Sequence, residues 1–202
     1  MRRVRPSERF VGARCELRLL TLADCTERYV GWLRDPEINR YLETRWSEQN
    51  LESVRAFVGG MVESADSYLF AIVVEGAHVG NIKIGPIQAR HRYADVSYFI
   101  GERAQWGRGI ASDAIALAAA IGFERLGLHR VQAGLYEGNV GSGRALEKAG
   151  FRREGVQRKQ LRLGADPDAP AADTQWEDHV WYGLLREEWQ ALNVRLVCCN
   201  EP

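Results

Sequence analysis

A mixed α/β fold is expected for this chain of 202 residues on three observations. Residues 68–100 carry apolar runs and period-2 alternation, broken by a Glu75-Gly76 turn. Residues 110–121 repeat apolar side chains at helical spacing, and from residue 130 onward strand-like and helix-like segments alternate.

In chain order, the first element is a short apolar strand at 17–20. Thr21 or Asp24 then offers a cap for a helix that runs to Leu33. It stops ahead of Pro36, because the residue before a proline is pushed out of the helical region. A second helix is expected over 51–63, where Leu51, Val54, Phe57, Val58, Met61 and Val62 form one apolar face. Residues 68–74 make a continuous apolar strand, and Glu75-Gly76 turns the chain into a strand over 78–87. Residues 92–100 alternate, with Ala94, Val96, Tyr98 and Ile100 on one side, completing an antiparallel meander. A long helix follows, with Ile110, Ala114, Leu117, Ala118 and Ile121 on one stripe and Gly127 as its stop. Residues 130–136 form the next strand, Asn139 caps a helix over 140–149, and Gly150 closes it in the left-handed conformation. Two last strands, 151–163 and 177–185, flank a loop at 164–175 that holds four alanines, three aspartates and two prolines. Arg186-Glu187-Glu188-Trp189 is helix-prone. One domain, with its core over about 13–189 and short tails, accounts for this length.

Composition narrows the function classes. The chain is 46% hydrophobic and 27% charged, well inside globular norms. Its 27 basic residues offset 27 acidic ones, so no global field exists to hold nucleic acid. No apolar run approaches the ~20 residues of a membrane span, and the basic N-terminus leads into Glu8, Arg9 and Arg14 rather than into a signal-peptide core. Cys15, Cys25, Cys198 and Cys199 form neither a CxxC pair nor a zinc spacing with histidine, so no metal is expected and a reducing cytoplasm fits.

Two segments carry chemistry. Between the strand end Phe99-Ile100-Gly101 and the next helix, Trp106-Gly107-Arg108-Gly109-Ile110-Ala111-Ser112 presents bare amides at a positive helix end, where a pyrophosphate fits. A plain strand-to-helix turn explains two glycines equally well. A P-loop is excluded, because no Gly-Lys-Ser/Thr follows. A dinucleotide site survives only weakly: Glu137 could bind a ribose, but the motif follows an antiparallel meander rather than opening a parallel sheet. The second segment runs from Tyr136 to Phe151, with Asn139 and Ser142 at a helix start, where both can cap. Arg144 and Lys148, spaced i, i+4, share a face that is either solvated or a second phosphate contact.

At these segments the sequence resembles the GNAT acetyltransferases, in particular ribosomal-protein N-terminal acetyltransferases and their amino-sugar relatives. The resemblance is carried by Asp35-Pro36-Glu37-Ile38-Asn39-Arg40-Tyr41-Leu42, by Gly80-Asn81-Ile82-Lys83-Ile84-Gly85-Pro86-Ile87, by Trp106 to Ala111, and by Asn139 with Ser142 through Gly150-Phe151. Trp106 stands where the superfamily usually has Gln or Arg, and the 164–175 loop is longer than the family leads one to expect.

The resemblance implies a mostly antiparallel sheet splayed at an acetyl-CoA site, with flanking helices. Acetyl-CoA would be a co-substrate held by Phe99, Ile100, Gly101, Trp106, Gly107, Arg108, Gly109, Ile110, Ala111, Ser112, Asn139, Ser142, Arg144 and Lys148. Direct transfer to a primary amine is implied, with Ser142 at the sulfur and Glu137, Asp95 or His91 as base, directly or through water. Tyr41, Glu43, Asn81 and His91 would contact the acceptor, and the acidic 164–175 loop would govern its choice. That acceptor is a small-molecule or peptide amine: an amino-sugar nucleotide first, because the 80–87 text is similar to that of surface-sugar acetyltransferases, with a protein N-terminus or a small drug-like or metabolic amine as alternatives. No nucleic acid or membrane partner is expected, and the chain would act as a monomer or homodimer. A CoA-binding module without turnover is the non-enzymatic alternative.

Overall fold

The computed structural model describes residues 4–163, 175–191 and 197–200. Two short strands come first, β1 (Glu8–Val11) and β2 (Glu16–Leu19). Sequence periodicity does not reveal β1, because its inward positions are Glu8 and Phe10, and the first is a carboxylate buried against Arg125. Thr21 caps only a single 3-10 turn, Leu22–Asp24. The helix expected there begins later. It is α1 (Glu27–Arg34), capped by Thr26, whose hydroxyl accepts the Tyr29 N–H. It ends at Asp35, as expected ahead of Pro36. Proline also suits a first helical position, where its missing N–H costs nothing, and Pro36 opens the short α2 (Pro36–Asn39) under an Asp35 cap.

Helix α3 (Leu51–Glu63) occupies its expected residues, with Asn50 and Ser53 capping each other reciprocally. Its buried face is narrower than the apolar pattern: Val54 and Val58 are buried, whereas Phe57 and Val62 are 46% and 61% exposed. The meander follows as β3 (Tyr68–Val74), β4 (Ala77–Gln88) and β5 (Tyr93–Ile100). Glu75 and Gly76 turn β3 into β4 with φ of +50° and +77°, a left-handed pair whose twist matches the flanking strands. Helix α4 (Ile110–Ala120) is alanine-rich and buried nearly all round, and it winds on into one π turn, Ile121–Arg125, before Gly127. The remaining elements are β6 (Arg130–Tyr136), α5 (Val140–Lys148), β7 (Arg152–Leu163), β8 (Gln175–Leu185), α6 (Arg186–Ala191) and β9 (Val197–Asn200). The loop expected to steer acceptor choice lies outside the described residues up to position 174.

Among the described residues, the strands form one nine-stranded sheet in the order β7-β8-β6-β5-β4-β3-β2-β1-β9. It extends beyond the expected core at both ends of the chain, through β1 and β9. Every neighbour is antiparallel except β5 and β6, which run parallel and pair only at Tyr93–Arg130, Ala94–Val131 and Asp95–Gln132. Helices α4 and α5 pack on one face, in a core that includes Phe70, Ile82, Val96, Ile115 and Leu146. On the other face α1 and α3 enclose Tyr29, Trp32, Val54 and Val58 against β3, with Phe99 of β5 packed alongside. Among the described residues, no helix is long and apolar enough to cross a membrane.

Candidate active site

Beyond the Asp95–Gln132 rung, β5 stays bonded to β4 as far as Ile100, and β6 stays bonded to β8 as far as Tyr136. The two strands therefore diverge, each keeping one backbone edge without a ladder. Such edges are ready to hydrogen-bond the amides of an extended ligand.

On the α4 and α5 side, two hydroxyls meet across this gap. Tyr98 of β5 and Ser142 of α5 lie 2.6 Å apart, oxygen to oxygen, and the Tyr98 hydroxyl is 3.1 Å from the Ser142 carbonyl. Burial pushes the Tyr98 hydroxyl up to about 12, so it remains a neutral donor through the physiological range. The Asn139 side chain accepts the Ser142 N–H, the capping role expected of it. Periodicity assigns Tyr98 to an apolar stripe. Its polar tip, alone in that stripe, is the signal that sets it apart.

The loop from Gly101 to Gly109 returns to the same edge, where Trp106 donates its indole N–H to the Ile100 carbonyl at 2.9 Å. Gly107 and Gly109 have φ of +73° and +79°, which an L side chain resists, and Gly109 is the N-cap of α4 without a capping side chain. The first-turn amides of this helix are thus left for an anion. Arg108 is exposed and bonds only to Gln105 among the described residues. Ile110 is buried, while Ala111 and Ser112 are half-buried. Arg144 and Lys148 project from α5 into solvent.

The opposite face holds a second constellation. Tyr136, at the end of β6, donates its hydroxyl to Glu43 at 2.7 Å, while Arg45 donates to the Tyr136 oxygen at 2.7 Å and to the Arg162 carbonyl at 2.9 Å. Burial first, and the Glu43 acceptor second, hold the Tyr136 hydroxyl above its ordinary value. Trp46 donates to the other Glu43 oxygen, and the Tyr41 ring lies 5.5 Å from that of Tyr136. A cleft of about 240 Å³ opens beside them, lined by Glu43, Trp46, Tyr136, Leu161, Arg162 and Trp176 among others. Arg45 and Tyr136 were not evident from sequence, because their relation spans 91 residues.

The other expected site residues fall in different places. Asp95 sits at the apex of the gap, half-buried and bonded to Gln132 at 2.8 Å. Glu137 is exposed, 3.4 Å from Arg153. Asn81 is buried in β4, paired with Phe99 of β5, and its side-chain oxygen accepts a hydrogen bond from the His78 ring at 2.7 Å. His91 is exposed at the β4–β5 turn, and at roughly 3.4 Å per residue the length of β5 separates it from Ile100. The gap therefore gathers Tyr98, Ser142, Asn139 and Asp95, Glu43 lines the cleft with Tyr41 packed behind Tyr136, and Asn81, Glu137 and His91 line neither. Among the described residues, no group of three His, Cys, Asp or Glu could hold a metal.

A family model described as "Acetyltransferase (GNAT) domain" matches residues 14–152. Over 141 residues the chain is 31% identical to a Bacillus subtilis (strain 168) protein named "Probable N-acetyltransferase YjcK", covering 70% of this chain and 68% of that one. It is 26% identical over 134 residues to the ribosomal protein uS5-alanine N-acetyltransferase of Escherichia coli (strain K12), covering 66% of this chain and 60% of that one. Mycobacterium smegmatis RimJ, solved in complex with CoA-disulfide, shares the fold with a TM-score of 0.78 at 22% identity, over 93% of this chain and 91% of its own.

Proposed function

The chain belongs to the GNAT acetyltransferase family, and from that premise we propose that it moves the acetyl group of acetyl-CoA directly onto a primary amine entering from the Glu43 and Tyr136 face. The observation that carries this reading is the gap between β5 and β6, with a hydroxyl pair on one side and a carboxylate-bearing cleft on the other.

Acetyl-CoA is a substrate here. Its phosphates suit the bare amides of Gly107 to Ser112, and its amide-rich arm suits the unladdered edges of Val96 to Ile100 and Ala133 to Tyr136. The neutral amine attacks the thioester carbon. A C–N bond forms, the C–S bond breaks, the nitrogen gives up a proton and the sulfur gains one. Ser142 is the donor to that sulfur. When Tyr98 donates to the Ser142 hydroxyl oxygen, the Ser142 proton is free to point into the gap. The N-terminal end of α5 favours the developing negative charge. Asp95, at the apex and on the acceptor face, is the base within this arrangement.

The acceptor reading rests on the cleft. The segment 80–87, which resembles amino-sugar enzymes, is the largely buried strand β4 and lines none of it. A carboxylate flanked by Trp46, Tyr136 and Trp176 suits a single ammonium on a short stem, as at a peptide N-terminus. The named activity of the ribosomal-protein relative supports the same class. Thiol release with acetyl-CoA and a panel of an alanine-started peptide, a polyamine and an amino-sugar nucleotide tests this. Turnover greatest with the peptide is expected. CoA binding without thiol release from any amine would leave only a binding module.

A further inference from the structure

The β1–β2 turn is fastened to the cofactor end of the molecule in a way that neither the fold nor the acetyl-transfer reading requires. Asp113, in the first turn of α4, accepts the backbone N–H of Ala13, Arg14 and Cys15 at 3.2, 2.7 and 3.0 Å. A Cβ on Gly12 would meet that carboxylate and have to displace it, so glycine here lets the turn close tightly around Asp113. The clamp aims the Arg14 side chain across the start of α4. Its Nε and Cδ lie 3.2 and 3.3 Å from where a Cβ on Gly109 would stand. The side chain is exposed, and among the described residues its guanidinium makes no hydrogen bond or ion pair. The nearby Asp113 charge is already spread over three amides, and Arg108 is turned to Gln105.

We propose that Arg14 is a phosphate contact for CoA, delivered from the β1–β2 turn, with Asp113 as its positioning residue. This rests on acetyl-CoA binding at Gly107 to Ser112, and it adds to those neutral amides a full positive charge beside Gly109. A guanidinium can grip a phosphate through two parallel N–H groups, which a backbone amide cannot do. The phosphate in reach is either the pyrophosphate or the 3′-phosphate of CoA, and the two are separable by ligand.

The test is calorimetric titration of the full chain, wild type, Arg14→Ala and Arg14→Lys, with CoA and with 3′-dephospho-CoA, at two salt concentrations. Arg14→Ala is expected to weaken CoA about 5- to 20-fold and to flatten the salt dependence of its Kd, while lysine restores part of both. A loss seen with both ligands assigns the pyrophosphate, and a loss confined to CoA assigns the 3′-phosphate. Asp113→Asn should weaken CoA by less than Arg14→Ala and add little to it in the double variant. Equal affinities and equal salt slopes for wild type and Arg14→Ala would overturn the proposal. Failure of the wild type to bind either ligand would instead overturn the acetyl-CoA reading on which it stands. Because Arg14 is exposed, a thermal melt unchanged by its replacement is the folding control.

Discussion

Ser142→Ala removes the hydroxyl that Tyr98 meets at 2.6 Å, yet leaves the Asn139 cap and the backbone of α5 in place. A free thiol has a pKa of about 8.5, so the leaving sulfur needs little help near neutral pH, and the loss belongs at or just below the lower limit of the ~10²–10⁴-fold range for positioned proton transfer. A fall in kcat of about 30- to 100-fold is expected, or about 2.0 to 2.7 kcal/mol at ~1.36 kcal/mol per decade. Tyr98→Phe keeps the Ser142 hydroxyl but removes the partner that orients it, so a smaller fall of about 5- to 20-fold follows. The double variant should be no slower than Ser142→Ala alone, since Tyr98 acts through Ser142. Ser142→Ala deletes one hydrogen bond and Tyr98→Phe two, at about 0.5 to 1.5 kcal/mol of stability each. The assay is thiol release at saturating acetyl-CoA and amine, with the acetyl-CoA dissociation constant measured in parallel and expected to hold within about twofold. Wild-type turnover by Ser142→Ala would refute the reasoning, as would a double-variant loss equal to the product of the two single losses.

Glu43→Gln should raise the KM of a cationic amine about 10-fold with the KM of acetyl-CoA unchanged, because the carboxylate lines the cleft and not the α4 end. Equal shifts in both constants in steady-state kinetics would count against that division. Burial pushes the Asp24 carboxyl up, but the Arg18 fork at 2.8 and 2.5 Å, with Thr21, outweighs it and leaves a pKa of about 2. The stability this contributes is full above the unfolded value of about 3.8 and is lost as pH falls toward 2, so Asp24→Asn should flatten the acid limb of urea midpoints over that window. Burial lowers the His78 pKa, partly offset by its bond to Asn81, so the folded state holds the ring neutral. Its contribution is complete above about 6.5 and declines as pH falls through the lower folded value; midpoints for His78→Gln should therefore drop less between pH 7 and 5.5 than those of the wild type.

What periodicity could read was long, regular and apolar. The spans of α3, β3 and β6 match their patterns residue for residue, because each buries a face built only of hydrophobic side chains. Gly150, at φ +93°, closes α5 as its position implied. β1 escaped because a buried glutamate occupies an inward position, and β9 because four residues with two cysteines show no alternation that a loop would lack. At the site, local motifs exposed the α4 amides and the Asn139 cap, since turn and cap chemistry are written in adjacent residues. The Glu43–Tyr136–Arg45 cluster, the Tyr98–Ser142 pair and the Asp113 clamp join residues about 44 to 100 positions apart, and no spacing rule in one sequence announces them.

The three rungs between β5 and β6 also have a mechanical meaning. Among the described residues they are the ladder that joins a six-stranded block, β9 to β5, to a three-stranded block, β6 to β8. The ladders on either side of it are longer, seven paired positions between β4 and β5 and seven between β6 and β8, so near the site the sheet is least tied at Asp95 and Gln132. Elsewhere the two blocks are joined by packing of α4 on α5 and by side-chain bonds, among them Tyr98–Ser142, Gln132–Asp95 and the Tyr136 bonds to Glu43 and Arg45. A ligand lying in the gap and bonding both edges would act as a missing strand. It would stiffen the whole molecule along the one line where its own backbone does not.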